Sequence, residues 1–112
     1  MLIHEFVALP KECVSLSISY NTIHKANFVA IPDEVVLANA TAFFTGFSAC
    51  WDTIDSFNEG LNYHGITIIL PNELPHFLRN LDQLKTENGI NDLLLLCNSA
   101  VLSNKCIVHF GI

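Results

Sequence analysis

Five histidines and four cysteines are the first side chains to test for chemistry: His4, His24, His64, His76 and His109, with Cys13, Cys50, Cys97 and Cys106. A zinc site needs ligands at finger or helical spacing, and no histidine pair falls at i, i+4 on a helix or close to a cysteine at finger spacing. No metal and no cofactor is expected. The cysteines form no C-x-x-C pair and sit in apolar surroundings, so they read as buried free thiols, with a disulfide left open by spacing alone. A Cys–His nucleophile needs an activated thiol and a positioned base, and nothing marks either. The histidines read as structural or surface residues. There is no G-x-S-x-G elbow, P-loop or G-x-G-x-x-G, so no catalytic residue is assigned and the chain does not read as an enzyme.

The carboxylates are arranged more distinctly. Asp52, Asp55 and Glu59 follow one another at spacings of three and four, which on a helix places them on one face. No lysine or arginine interrupts the sequence between Lys25 and Arg79. Trp51 and Tyr63 lie nearby, and aromatic residues beside like charges have the composition of a binding hot spot with steering charges. The ordinary alternative is a solvated helix face. As an acid–base pair, Asp52 and Asp55 would need the perturbed pKa values that exposed neighbours rarely acquire.

Composition bounds the partner. Eleven acidic residues against five basic ones give a net charge of −6. Nucleic acid requires a basic face, and so does an anionic membrane surface. Neither is an expected partner. Only 14% of residues are charged while 51% are hydrophobic, which excludes disorder and leaves apolar surface for a partner. The N-terminus lacks the positive region and cleavage site of a signal peptide, so the expected location is cytoplasmic. The uncharged run between Glu34 and Asp52 approaches the length of a membrane span, but its Asn39, Thr41, Thr45, Gly46 and Ser48 argue against one.

The elements that would position these residues fit one domain over 1–112. Residues 3–9 read as a strand, followed by a turn at Pro10-Lys11. Val14, Leu16, Ile18 and Tyr20 alternate with Ser15, Ser17 and Ser19, a period of two that predicts a second strand. Asn27 to Ile31 supplies a third, completing an antiparallel meander. Pro32-Asp33-Glu34 opens a helix. From there to Glu59 the pattern is helical, with Phe43, Phe47, Cys50, Ile54, Phe57 and Leu61 as one apolar stripe, Gly46 as a break or kink and Gly60 as a C-terminal cap. Ile66–Leu70 reads as an interior strand stopped by Pro71. Two helices follow, one with Leu74, Phe77, Leu78, Leu81 and Leu84 inward, the other with Leu93, Leu94, Cys97 and Val101 inward. Cys106–Phe110 closes the chain as a strand. The expected class is α/β (α+β): a meander extended by later strands into a mixed sheet, packed with three to four helices.

The segment Leu61-Asn62-Tyr63-His64-Gly65-Ile66-Thr67-Ile68-Ile69-Leu70-Pro71 and the closing Lys105-Cys106-Ile107-Val108-His109-Phe110-Gly111-Ile112 resemble small bacterial toxin-immunity proteins of contact-dependent growth inhibition and polymorphic toxin systems. The likeness covers the chain from about Trp51 onward, where a Trp-bearing helical stretch would precede the strand and a proline-opened helix would follow it. It implies a cytosolic protein that binds one cognate toxin domain, often a nuclease, and occludes its active site or substrate surface. The resemblance carries no shared catalytic residues. Its matched positions look structural: Gly65 for a turn, Pro71 for a helix start and Gly111 for the chain end. An acidic inhibitor of a basic nuclease is also what the charge balance favours. The rival expectations are a small enzyme or ligand-binding domain using His64, His109 and Cys106, or an oligomerising structural module.

Overall fold

The computed structural model describes residues 2–15, 20–24 and 27–112. Among these residues six strands form one sheet: β1 (Ile3–Leu9), β2 (Val29–Pro32), β3 (Ser48–Trp51), β4 (Phe57–Glu59), β5 (Ile66–Ile69) and β6 (Cys106–Phe110). Their order across the sheet is β2-β1-β6-β5-β3-β4. Every pairing is antiparallel, so the sheet lacks the parallel component that a mixed sheet implies. The α+β class stands.

Both faces of the sheet are covered. On one, α2 (Asp33–Ala38), α3 (Ala40–Phe44), α4 (Leu74–Asp82) and α5 (Ile90–Leu102) bury the larger core around Phe6, Ile31, Phe43, Phe77, Leu93 and Ile107. On the other, Val7, Cys50, Ile68, Cys106 and Val108 form a smaller core with Val14 of α1 (Lys11–Ser15). Burial on both sides explains why β5 and β6 read as unbroken apolar runs. α4 places Leu74, Phe77 and Leu81 inward, with Leu78 and Leu84 partly buried. α5 follows its expected stripe except at Val101, which is exposed; Ile90 and Ala100 take the inward positions beside Leu93 and Cys97.

Two expected elements change. Val14 and Ser15 belong to a short helix, and Tyr20–Thr22 forms a 3-10 turn, so the serine-alternating strand does not extend over either end; its residues 16–19 lie outside the described residues. The long helix from Pro32 to Glu59 is replaced by two short helices and a hairpin. Asn39 divides the helices: its backbone leaves helical geometry and its side-chain amide donates to the Val35 carbonyl. Thr45, already extended, then ends α3, and Gly46 follows it in the left-handed region at φ 86°. Beyond it, Asp52, Thr53, Asp55, Ser56 and Asn58 are turn formers and weak helix formers, and the chain doubles back as β3 and β4. The stripe spacing misled because β3 is buried on both faces: Phe47 and Ala49 enter the larger core while Cys50 enters the smaller one. No helix among the described residues is long and apolar enough to cross a membrane.

Candidate functional site

The acidic residues lie on the β3–β4 hairpin rather than on a helix. Asp52 follows β3 at φ 64°, a left-handed conformation that Asp tolerates better than most side chains. Its Oδ1 accepts the Ile66 N–H at 3.0 Å, and its own N–H donates to the Ile66 carbonyl at 2.8 Å. Asn62 reaches Oδ2 at 3.5 Å. Asp52 is therefore an anchor tying the hairpin to the start of β5. Asp55, at the exposed tip, makes no hydrogen bond and no ion pair among the described residues. Glu59 is exposed in β4 and accepts the Gly46 N–H at 3.2 Å. Among the described residues, neither Asp55 nor Glu59 lies within ion-pair distance of a lysine or arginine.

Trp51 and Tyr63 are half-buried, and their polar groups are already bonded within the chain. The Trp51 indole N–H is committed to the Gly60 carbonyl at 2.8 Å. Gly60 is held at φ 75°, and a Cβ there would overlap the Phe44 carbonyl. The Tyr63 hydroxyl donates to Asp33, at 2.8 and 2.9 Å from its two oxygens. That bond pushes the Tyr63 hydroxyl above its ordinary pKa. The aromatic the hairpin does present is Phe57, 66% exposed at the sheet's edge. The apolar helical stripe that the spacing predicts includes Phe57, but the hairpin exposes it. The turn formers on its N-terminal side were the signal for a hairpin.

Tyr63 instead covers a buried polar chain. His4, Thr67 and His109 are fully buried on the helix-covered face, at the end of the sheet where β1 begins and β6 ends. Asp33 Oδ1 lies 2.8 Å from His4 Nε2, His4 Nδ1 lies 2.8 Å from His109 Nε2, and His109 Nδ1 lies 3.0 Å from Thr67 Oγ1. The Asn62 N–H donates to Thr67 Oγ1 at 2.8 Å. A carboxylate only accepts, which places hydrogen on His4 Nε2. With neutral rings the chain runs one way: Asn62 to Thr67, Thr67 to His109, His109 to His4, His4 to Asp33. Burial, followed by the neighbouring His4, pushes the His109 pKa down to about 3, so His109 is neutral near pH 7. The His4 hydrogen bond holds the Asp33 carboxyl below its usual range, and Tyr63 adds to this. Among the described residues, no buried side-chain nitrogen or oxygen lacks a partner.

This chain superficially has the order of a nucleophilic triad, but the Thr67 oxygen is sealed in the core and accepts a backbone N–H. A substrate carbonyl has no approach to it. His24, His64 and His76 are exposed and belong to other parts of the surface. His109 and Cys106 are both buried but face opposite sides of β6, so the trio His64, His109 and Cys106 does not converge. Among the described residues, no group of three or more His, Cys, Asp or Glu is placed to hold a metal ion. Cys50, Cys97 and Cys106 are buried free thiols; the Cys13 side chain lies outside the described set. Burial raises all three, Cys106 to about 11, with Asp55 adding to the rise at Cys50.

Three features therefore carry the distinctive chemistry: an acidic hairpin edge, a sealed histidine pair and the Tyr63 loop that joins them. No protein-family model, no curated protein and no solved structure matches this chain.

Proposed function

We propose that this protein is a stoichiometric inhibitor of the immunity type, acting in the cytoplasm on a basic toxin domain, with a nuclease as the cognate class. One observation carries the reading: the β4 edge presents an exposed Phe57 flanked by Asp55 and Glu59, whose carboxylates have no lysine or arginine partner among the described residues. Such carboxylates replace substrate phosphates against the cationic groups of a nuclease cleft, and the net charge of −6 accelerates encounter. Phe57 supplies desolvated apolar contact at the centre. Asp52, Trp51 and Tyr63 contribute by fixing the loops behind this surface, since their polar atoms are held by Ile66, Gly60 and Asp33.

The test is purification of the domain encoded by the adjacent reading frame, followed by light scattering of the mixture and a nuclease assay. A 1:1 complex with suppressed cleavage supports the proposal. A domain that remains separate and fully active at micromolar concentrations overturns it.

A further inference from the structure

The register of the sheet singles out Phe57. Val7 pairs with Val108, Val108 with Ile68, Ile68 with Cys50, and Cys50 with Phe57. These residues form one cross-strand apolar row over β1, β6, β5, β3 and β4. The first four are at most 1% exposed, and Phe57 ends the row at 66%. An apolar side chain one strand further out would continue it.

The main chain at this edge has donors and acceptors to match. The Trp51 N–H donates to the Ser56 carbonyl at 2.8 Å, and the Gly60 N–H to the Phe47 carbonyl at 2.9 Å. Antiparallel alternation then turns the main-chain groups of Ser56, Asn58 and Gly60 toward β3. Those of Phe57 and Glu59 point away from the sheet, and β4 is its last strand among the described residues.

We propose that the β4 edge accepts one extended segment of a basic partner as a seventh strand. The segment carries the pattern basic–x–apolar–x–basic, with its apolar residue opposite Phe57 and its cations beside Asp55 and Glu59. This deepens the inhibitor reading and rests on it only for the partner's identity. Strand addition takes affinity from main-chain hydrogen bonds and specificity from alternate side chains. A second copy of this chain is the wrong occupant: laid antiparallel about Phe57, it would set Glu59 against Asp55. Like charges opposite one another disfavour pairing, which is also how natural edges avoid self-association.

The probe is the capped peptide Thr-Lys-Thr-Val-Thr-Lys-Thr, titrated into isotope-labelled protein and followed by NMR and amide hydrogen exchange. The expected result is saturable binding with slowed exchange at the Phe57 and Glu59 amides. Phe57→Ala and Glu59→Gln should each weaken binding at least fivefold while leaving the melting temperature nearly unchanged. Unaltered exchange at those amides in millimolar peptide overturns the proposal. Equal binding of a peptide with both lysines replaced by glutamate also overturns it, as does a peptide-independent dimer abolished by Phe57→Ala. The two readings fail separately. A neutralised toxin domain whose complex leaves these amides unprotected removes the seventh strand and keeps the inhibitor. Peptide addition without any effect on the toxin domain does the reverse.

Discussion

Replacing Thr67 with valine isolates the polar chain from the packing around it. The substitution keeps volume and β-branching but removes one hydroxyl that accepts from the Asn62 N–H and donates to His109 Nδ1. Both partners lose their hydrogen bond, and at His109 the loss lies in a fully buried site. A buried polar group left unpaired costs about 1–3 kcal/mol. The added methyl returns about 0.8 kcal/mol of burial. With two groups unpaired, the net expectation is a loss of about 1–5 kcal/mol. For 112 residues, an unfolding entropy of about 2.1 cal/mol/K per residue gives about 0.24 kcal/mol/K, so the midpoint should fall by roughly 5–20 °C. Thr67→Ser is the control, because it keeps the hydroxyl and loses only a methyl, at about 1 kcal/mol. Denaturant titrations followed by circular dichroism measure both, compared at constant m-value. Strand propensity alone ranks valine above serine on an interior strand. If Thr67→Val proves as stable as Thr67→Ser, propensity outweighs the hydrogen bonds and the reasoning is refuted.

Three further outcomes are expected. Stability should fall as pH drops from about 6.5 toward about 3. Throughout that window the unfolded chain protonates His109 and the folded chain does not, giving up to about 1.4 kcal/mol per pH unit from this group; a flat profile between pH 6 and 4 contradicts it. Asp33 adds loss only below the ordinary carboxylate range, because its folded pKa is lowered. Asp52→Ala should cost roughly 1–2 kcal/mol through the lost Ile66 hydrogen bond and the left-handed backbone, and Asp52→Asn less than half of that, as read from denaturation midpoints. Cys97 and Cys106 should resist thiol-specific reagents in the native protein and react on unfolding, followed site by site by mass spectrometry; rapid native labelling would contradict their burial.

The strands at the chain's ends and the two long helices were legible because local pattern and burial agree there. Ile3–Leu9, Ile66–Ile69 and Cys106–Phe110 are short apolar runs closed by turn residues, and α4 keeps one apolar stripe. The middle was not legible because two periodicities overlap. Phe43, Phe47, Cys50, Ile54, Phe57 and Leu61 recur at helical intervals, yet they fall on α3, the bend before β3, β3 itself, a turn, β4 and a loop. A strand buried on both faces has no alternation to announce it. Only the density of Asp, Ser, Thr and Asn from Asp52 to Asn58 spoke for a hairpin. The histidine pair was illegible for a different reason: 105 positions separate His4 from His109, and only the β1–β6 pairing brings them together.

The direction of that buried chain explains why it suits a neutral core better than a charged one. The Asn62 N–H cannot turn around, so Thr67 Oγ1 must accept from it and has one hydrogen to give. With neutral His109, that hydrogen goes to Nδ1, and each remaining hydrogen of the chain has an acceptor, ending at Asp33. Protonating His109 puts a second hydrogen at the same contact. Thr67 Oγ1 would then accept from both sides while its own hydrogen lost its acceptor. The charged ring would carry this penalty on top of its desolvation, inside a site with no exposed surface. One backbone N–H in the 60–65 loop therefore sets the tautomers of two histidines and directs the chain toward Asp33. The same loop takes the Trp51 indole at Gly60 and the Asp52 carboxylate at Asn62, while the first residue of β5, Ile66, donates its N–H to that carboxylate. The acidic hairpin is in this way braced on a loop whose own position is held by the buried histidine pair.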